Sequence, residues 1–100
     1  MGATRRPTPR RLGIKLLQVR LKLDLSQVEM ANRLREVPSP PRPADISRFE
    51  LGSREPSLPL LLEYARLVKL PLEVLVDDKI EMPRRFPKPD RRRVDNRKRT

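Results

Sequence analysis

Residues 46–58 read Ile-Ser-Arg-Phe-Glu-Leu-Gly-Ser-Arg-Glu-Pro-Ser-Leu, and they combine the end of one helix, a turn and the start of another. Ile46 and Phe49 are three positions apart and therefore share one face of the first helix. Gly52 follows at a place where a left-handed glycine commonly ends a helix. Ser57 then provides an N-cap for the next helix. The segment predicts two short helices joined by a tight turn.

Two helices are predicted before this segment. The first, over residues 12–23, is indicated by apolar residues at helical spacing: Leu12, Leu16, Val19 and Leu23. Three more apolar residues broaden this face, so we expect burial on more than one side: Ile14, Leu17 and Leu21. Ser26 and Glu29 match a capping box. The apolar residues that follow predict a second helix to about residue 36: Val28, Met30, Ala31 and Leu34.

Prolines set the limits of the remaining helices. Four prolines between residues 37 and 43 make 37–42 an extended connection, and Pro43 suits the first turn of a third helix that runs to Leu51. A fourth helix after Ser57 has its own apolar stripe: Leu60, Leu61, Tyr64, Ala65 and Val68. Pro71 ends it, and a short closing helix is predicted as a lid on the core or, alternatively, as part of a dimer interface: Leu72, Val74, Leu75 and Val76. No strand-like alternation of useful length occurs, so the sequence predicts an all-α fold of five short helices.

The positive charge is concentrated at the two ends of the chain. The net charge is +11 over 100 residues, yet residues 12–82 hold eleven basic and eleven acidic side chains. Residues 1–11 hold four arginines and no acid, and residues 83–100 hold nine basic and two acidic side chains. We predict a disordered basic arm over 1–11, a helical domain over 12–82 and a disordered basic tail over 83–100. The ends would attract phosphate or, alternatively, only increase solubility.

The composition argues against several classes of protein. The chain has no cysteine and no histidine, so thiolate chemistry and imidazole catalysis or metal ligation are excluded. There is no glycine-rich phosphate loop, and Asp77 and Asp78 are interpreted as surface charge. No apolar run approaches the length of a membrane span. We therefore expect no enzyme activity, no metal, no cofactor and no membrane partner, and we expect a cytoplasmic location.

The capped second helix at Leu25-Ser26-Gln27 and the helix-turn-helix at 46–58 resemble the lambda-repressor-like (Cro/Xre) DNA-binding family. The resemblance covers residues 12–76, roughly. It implies a compact five-helix domain, double-stranded DNA as the partner, and a role as a small bacterial or phage-type transcriptional regulator associated with the nucleoid. It also implies a homodimer on DNA, although the sequence has no dedicated dimerisation domain. No small-molecule effector is indicated.

The same resemblance assigns roles to individual residues. It implies that Gln27 contacts phosphate, and that Ser53 and Arg54 in the turn hold the DNA backbone. It also implies an ion pair between Arg20 and Glu50 that orients the recognition helix.

The third helix is the expected recognition helix. Because Ile46 and Phe49 face inward, the candidates for base contact lie on or beside the outward face: Ala44, Asp45, Ser47 and Arg48. Arg48 could pair with guanine or bind phosphate, and Arg42 precedes the helix as another candidate. Asp45 could accept a hydrogen bond from a cytosine amino group or could interact with the positive end of the helix dipole.

The connection over residues 35–42 departs from the family pattern because it is longer and contains no glycine. It could contact DNA or a protein partner. A second function is therefore kept open: a protein-interaction module, such as an antitoxin or a regulatory adaptor, whose tails bind nucleic acid nonspecifically.

Overall fold

Five α-helices form the part of the chain that the structure, a computed structural model, describes, which is residues 9–87. They are α1 (Leu12–Lys22), α2 (Gln27–Arg33), α3 (Pro43–Leu51), α4 (Leu58–Val68) and α5 (Leu72–Val76). No strand occurs in this range, and the predicted all-α fold is confirmed. Residues 1–8 and 88–100 lie outside the described residues, so the expected disorder of most of the arm and tail stays a prediction.

The predicted helix ends of α2, α3 and α4 are present. Ser26 Oγ accepts a hydrogen bond from the Glu29 amide at 3.1 Å, and Glu29 Oε1 accepts one from the Ser26 amide at 2.8 Å. Gly52 adopts φ 80°, the left-handed conformation that ends α3. Ser57 Oγ accepts from the Leu60 amide at 3.4 Å and caps α4.

Helix α2 is shorter than predicted, because it ends at Arg33 rather than near residue 36. Leu34 leaves helical geometry with φ −101° and ψ 13°, and the Val37 amide donates to the Leu34 carbonyl in a turn at 3.3 Å. Pro38 explains the early end, since a residue that precedes proline is disfavoured in the helical region. The connection to α3 is therefore longer still, and Pro41 is buried within it.

Fourteen apolar side chains form one core: Leu12, Leu16, Val19, Met30, Ala31, Leu34, Ile46, Phe49, Leu60, Leu61, Tyr64, Ala65, Val68 and Leu75. The expectation that α1 is buried on more than one apolar side is wrong. Ile14 and Leu21 are more than half exposed, as is Val28 of α2. Besides its buried apolar residues, α1 buries Lys15, which is only 1% exposed.

Lys15 and Asp78 hold the segment after α5 against α1. The Lys15 ammonium donates to the carbonyls of Val74, Asp77 and Ile80 at 2.7, 2.9 and 2.7 Å. In return, the Asp78 carboxylate accepts from the backbone amides of Arg10 and Arg11 at 2.8 and 3.0 Å, which satisfies donors at the start of α1. Asp78 lies at the surface as expected, and it also has this structural role. Its pKa is lowered by these two amide hydrogen bonds, Arg11 first.

Gly13 allows α1 to approach the end of α3 at backbone contact distance. A Cβ atom at this position would lie 2.7 Å from the Glu50 carbonyl oxygen and 2.9 Å from that of Phe49. Both neighbours are backbone atoms of α3, so neither can move aside without moving the helix. The separation of α1 and α3 therefore depends on the missing side chain.

Substitution of Gly13 by alanine should lower stability, although alanine is intrinsically the better helix former. Overpacking against the α3 backbone should cost about 1–3 kcal/mol of unfolding free energy, more than the gain in helix propensity of about 1 kcal/mol. Urea unfolding would measure the change. Gln18→Ala, at an exposed position of the same helix, is the control and should be nearly neutral. A Gly13→Ala protein as stable as the parent would contradict the close packing.

Among residues 9–87, no helix is both long enough and apolar enough to cross a membrane.

Candidate nucleic-acid interface

Glu50 connects α3 to the two helices that precede it. Its carboxylate accepts from Arg20 Nε at 2.6 Å and from Arg20 Nη2 at 3.0 Å, so the α1–α3 ion pair is bidentate. Gln27 at the start of α2 donates its amide to the same carboxylate at 3.2 Å. Arg20 also donates to the Leu25 carbonyl at 2.9 Å. Sequence reasoning placed Arg20 beside Glu50; it did not place Gln27 there.

This group is largely shielded from water. The side chains of Arg20 and Glu50 are 13% and 7% exposed, so screening of their attraction is weak. The hydrogen bond from Arg20 to Glu50 is the main cause of a raised pKa for Arg20. Arg20 therefore remains charged over the whole physiological range, and its ion pair with Glu50, together with the Gln27 hydrogen bond, fixes α3 against both α1 and α2.

Helix α3 has one buried and one exposed face. Ile46 and Phe49 point into the core. Ala44, Arg48 and Leu51 are exposed and are spaced by four and three residues, so they share the outward face. Ser47 is partly exposed beside them. Among the described residues, this face of α3 is therefore open to solvent.

Asp45 lies at the third position of α3 and accepts hydrogen bonds from three residues. Its Oδ2 accepts from the Arg42 backbone amide at 3.0 Å. Its Oδ1 accepts from Arg54 Nη1 at 2.9 Å and from Arg48 Nη1 at 3.4 Å. The Arg42 guanidinium lies 3.8 Å from Oδ2. One carboxylate thus gathers Arg42, Arg48 and Arg54, which we call the arginine cluster.

The carboxylate and the arginines differ sharply in exposure. The side chain of Asp45 is 10% exposed, whereas those of Arg42, Arg48 and Arg54 are 80%, 53% and 56% exposed. The pKa of Asp45 is lowered, first by the hydrogen bond from the Arg42 amide and further by the charges of the three arginines. The acid therefore remains ionised, and the surface it presents outward is positive.

The turn after α3 brings its residues back toward the helix. The Ser53 amide donates to the Arg48 carbonyl at 3.0 Å, and Ser53 Oγ lies 3.3 Å from the same oxygen. Gly52 lets the chain reverse here, and Arg54 then reaches Asp45 nine residues earlier. Sequence reasoning did not predict this contact. Its only signal was an acid in the first turn of the helix and an arginine just beyond the helix end.

The structure thus brings seven of the predicted contact residues onto α3 or its two ends: Arg42, Ala44, Asp45, Ser47, Arg48, Ser53 and Arg54. Gln27 belongs to α2 and lies beside Glu50, near the C-terminal end of α3. Contact of any of them with DNA stays a prediction. Asp45 has its carboxylate oxygens turned to its own helix end and to the arginines, which is the geometry expected if it interacts with the helix dipole.

Removal of the Glu50 carboxylate should destabilise the protein strongly. Glu50→Ala leaves the shielded Arg20 guanidinium without its partner, and such a loss costs on the order of 3 kcal/mol. Thermal and urea unfolding would measure it. Glu63→Ala is the matched control, because Glu63 pairs with Arg66 at 3.4 Å on the solvent side of α4 and such pairs contribute less than about 1 kcal/mol. An unchanged melting temperature for Glu50→Ala would contradict a stabilising role of the pair.

Comparison with known proteins shows the fold and nothing finer. No family model matches the sequence, and no curated protein matches it significantly. A crystal structure of the P22 c2 repressor protein, in complex with synthetic operator 9T in the presence of Tl+, is similar with a TM-score of 0.57 and 19% sequence identity. The match covers 67% of this chain and 94% of that one. The chain has the lambda-repressor-like helix-turn-helix fold, and the resemblance predicted from its sequence is confirmed at that level.

Proposed function

We propose that this protein is a small transcriptional regulator that binds specific sequences in double-stranded DNA with α3 in the major groove. The observation that carries the proposal is the exposed arginine cluster at one face of α3, a helix whose orientation Arg20, Gln27 and Glu50 fix. An arginine can donate two hydrogen bonds to guanine in the major groove, which distinguishes that base from the others. The shared fold supports the proposal, because the P22 c2 repressor was crystallised on an operator.

Within this proposal, Arg48 reads a base, since it lies in the middle of the outward face. Ala44 and Ser47 lie beside it, where small side chains allow the helix to come close to base edges. Gln27, Ser53 and Arg54 contact the phosphate backbone, and contacts of that kind set the register of a protein on DNA. Arg42 at the start of α3 contacts phosphate or a flanking base.

We also propose that two copies bind as a symmetric pair to two half-sites, as helix-turn-helix proteins commonly do. Helix α5 is the candidate for part of this interface, since its Leu72, Val74 and Val76 side chains are only partly buried. The proposal involves no cofactor and no small-molecule effector. It places this bacterial or phage-type regulator in the cytoplasm, associated with the nucleoid.

The direct test is selection from a randomised duplex DNA pool at near-physiological salt, with sequencing of the retained fraction. An enriched motif supports specific recognition, and a palindrome with half-sites about one helical turn apart supports the symmetric pair. Binding without enrichment would instead assign the affinity to the basic ends. That outcome favours the interaction module with nonspecific tails.

Arg48→Ala should weaken binding to the enriched site by about 1–3 kcal/mol if Arg48 reads a base. Binding to a scrambled duplex should change much less, because the base-specific hydrogen bonds are absent there. Fluorescence anisotropy on both duplexes would measure the two changes. Arg66→Ala on α4 is the control, since it removes one exposed arginine outside the candidate surface. Equal weakening on the enriched and scrambled duplexes in Arg48→Ala would contradict base reading.

Truncation after Pro87 should weaken binding to all duplexes by a similar factor. It removes seven basic and two acidic side chains and keeps Phe86, which packs against the core. The slope of log K against log salt should become shallower by ~0.9 for each phosphate that the tail no longer neutralises. A salt titration of the full and truncated chains would measure both slopes. An unchanged slope would show that the tail neutralises no phosphate.

A further inference from the structure

We propose that Asp45 is a positioning residue that sets the sequence specificity of α3 without contacting DNA itself, by holding Arg48 and Arg54 in one arrangement. The proposal rests on the proposed function. The position of Asp45 on α3 first suggests that it reads a base, and the role proposed here is a different one.

The geometry of the carboxylate supports this assignment. Oδ2 is occupied by the Arg42 backbone amide, and Oδ1 accepts from both Arg54 and Arg48. The carboxylate is only 10% exposed beneath these donors, so a cytosine amino group has little access to it. Arginine guanidinium groups carry five N–H donors each, so Arg48 and Arg54 retain donors for DNA after giving one to Asp45.

The two arginines come from different elements, which gives the contact its consequence. Arg48 is on α3, and Arg54 is in the turn that follows Gly52. The shared oxygen therefore couples the proposed base reader to the proposed backbone clamp. When one is engaged, the other is already placed, and less side-chain entropy is lost on binding.

Asp45 also limits nonspecific attraction. Its charge offsets one of the three positive charges of the arginine cluster, so the surface attracts phosphate less strongly than the arginines alone would. Removal of the acid should therefore have opposite effects on the two kinds of binding. Binding to a scrambled duplex should strengthen, while the preference for the enriched duplex should fall.

Asp45→Asn is the test, because asparagine retains an acceptor for the Arg42 amide and is a good residue at a helix start. The ratio of enriched to scrambled affinity should fall roughly 2- to 10-fold, the cost of ordering a freed side chain. Glu63→Gln is the control. Like Asp45→Asn, it removes one negative charge beside an exposed arginine. It should leave the ratio of enriched to scrambled affinity unchanged.

Combination with Arg48→Ala separates positioning from base reading. If Asp45 acts through Arg48, Asp45→Asn should lower the ratio little further in the Arg48→Ala protein. If Asp45 reads a base, the two effects should add, and the relaxed position in the enriched motif should be a cytosine that Arg48→Ala leaves selected. Additive effects would overturn the proposal.

A measurement without DNA keeps this test separate from the proposed function. The Arg48 and Arg54 side-chain Nε–H signals in a two-dimensional NMR spectrum should show restricted motion in the parent and free motion in Asp45→Asn. Equal mobility in both proteins would overturn the proposal even if a motif is enriched. Restricted motion without any enriched motif would instead reject the proposed function. If Asp45→Asn is too unstable to study, Asp45→Ser also removes the carboxylate but keeps a hydroxyl acceptor for the Arg42 amide, and it should free Arg48 and Arg54 likewise; unaltered Arg48 and Arg54 signals would again overturn the proposal.

Discussion

The bidentate ion pair between Arg20 and Glu50 is the contact on which the geometry of the candidate surface depends. Glu50 is the only side chain in the described range that accepts hydrogen bonds from both α1 and α2 while belonging to α3. A helix of nine residues buries too little surface to set its own direction. The carboxylate supplies the missing restraint, because both of its oxygens are used and both point to other helices.

Glycine makes that ion pair geometrically accessible. Gly13 lets the backbone of α1 lie against the carbonyls at the end of α3, and the guanidinium seven residues later can then reach Glu50. Gly52 ends α3 directly after this region and turns the chain so that Arg54 returns to Asp45. Two positions without side chains thus define the frame within which the charged side chains act.

The sequence predicted the elements of this fold much better than the contacts between them. Caps and prolines are local signals, so Ser26, Gly52, Ser57 and Pro71 marked helix ends correctly. The apolar periodicity of α1 was misleading, because the pattern alone cannot show whether Ile14 faces a neighbouring helix or solvent. The answer depends on where α5 lies. Lys15 was missed for the same reason. A lysine is buried only when carbonyl oxygens from elsewhere surround it, and those come from residues 74–80.

The pairing of Arg20 with Glu50 could be predicted only through the family resemblance, and the contact between Asp45 and Arg54 had no signal beyond suitable charges.

The burial of acids explains how a domain with no net charge can present a positive face. Residues 12–82 carry equal numbers of basic and acidic side chains, yet the two acids of α3, Asp45 and Glu50, are almost entirely shielded. The arginines of the cluster remain more than half exposed. The positive field at this face therefore comes from where the charges lie and not from how many there are, and it decays within about one Debye length of ~8 Å at physiological salt. Under the proposed function, a field of that range would act on DNA already close to α3, whereas the greater charge of the two chain ends would act on DNA of any sequence. Local recognition and general attraction would then belong to different parts of the same small chain.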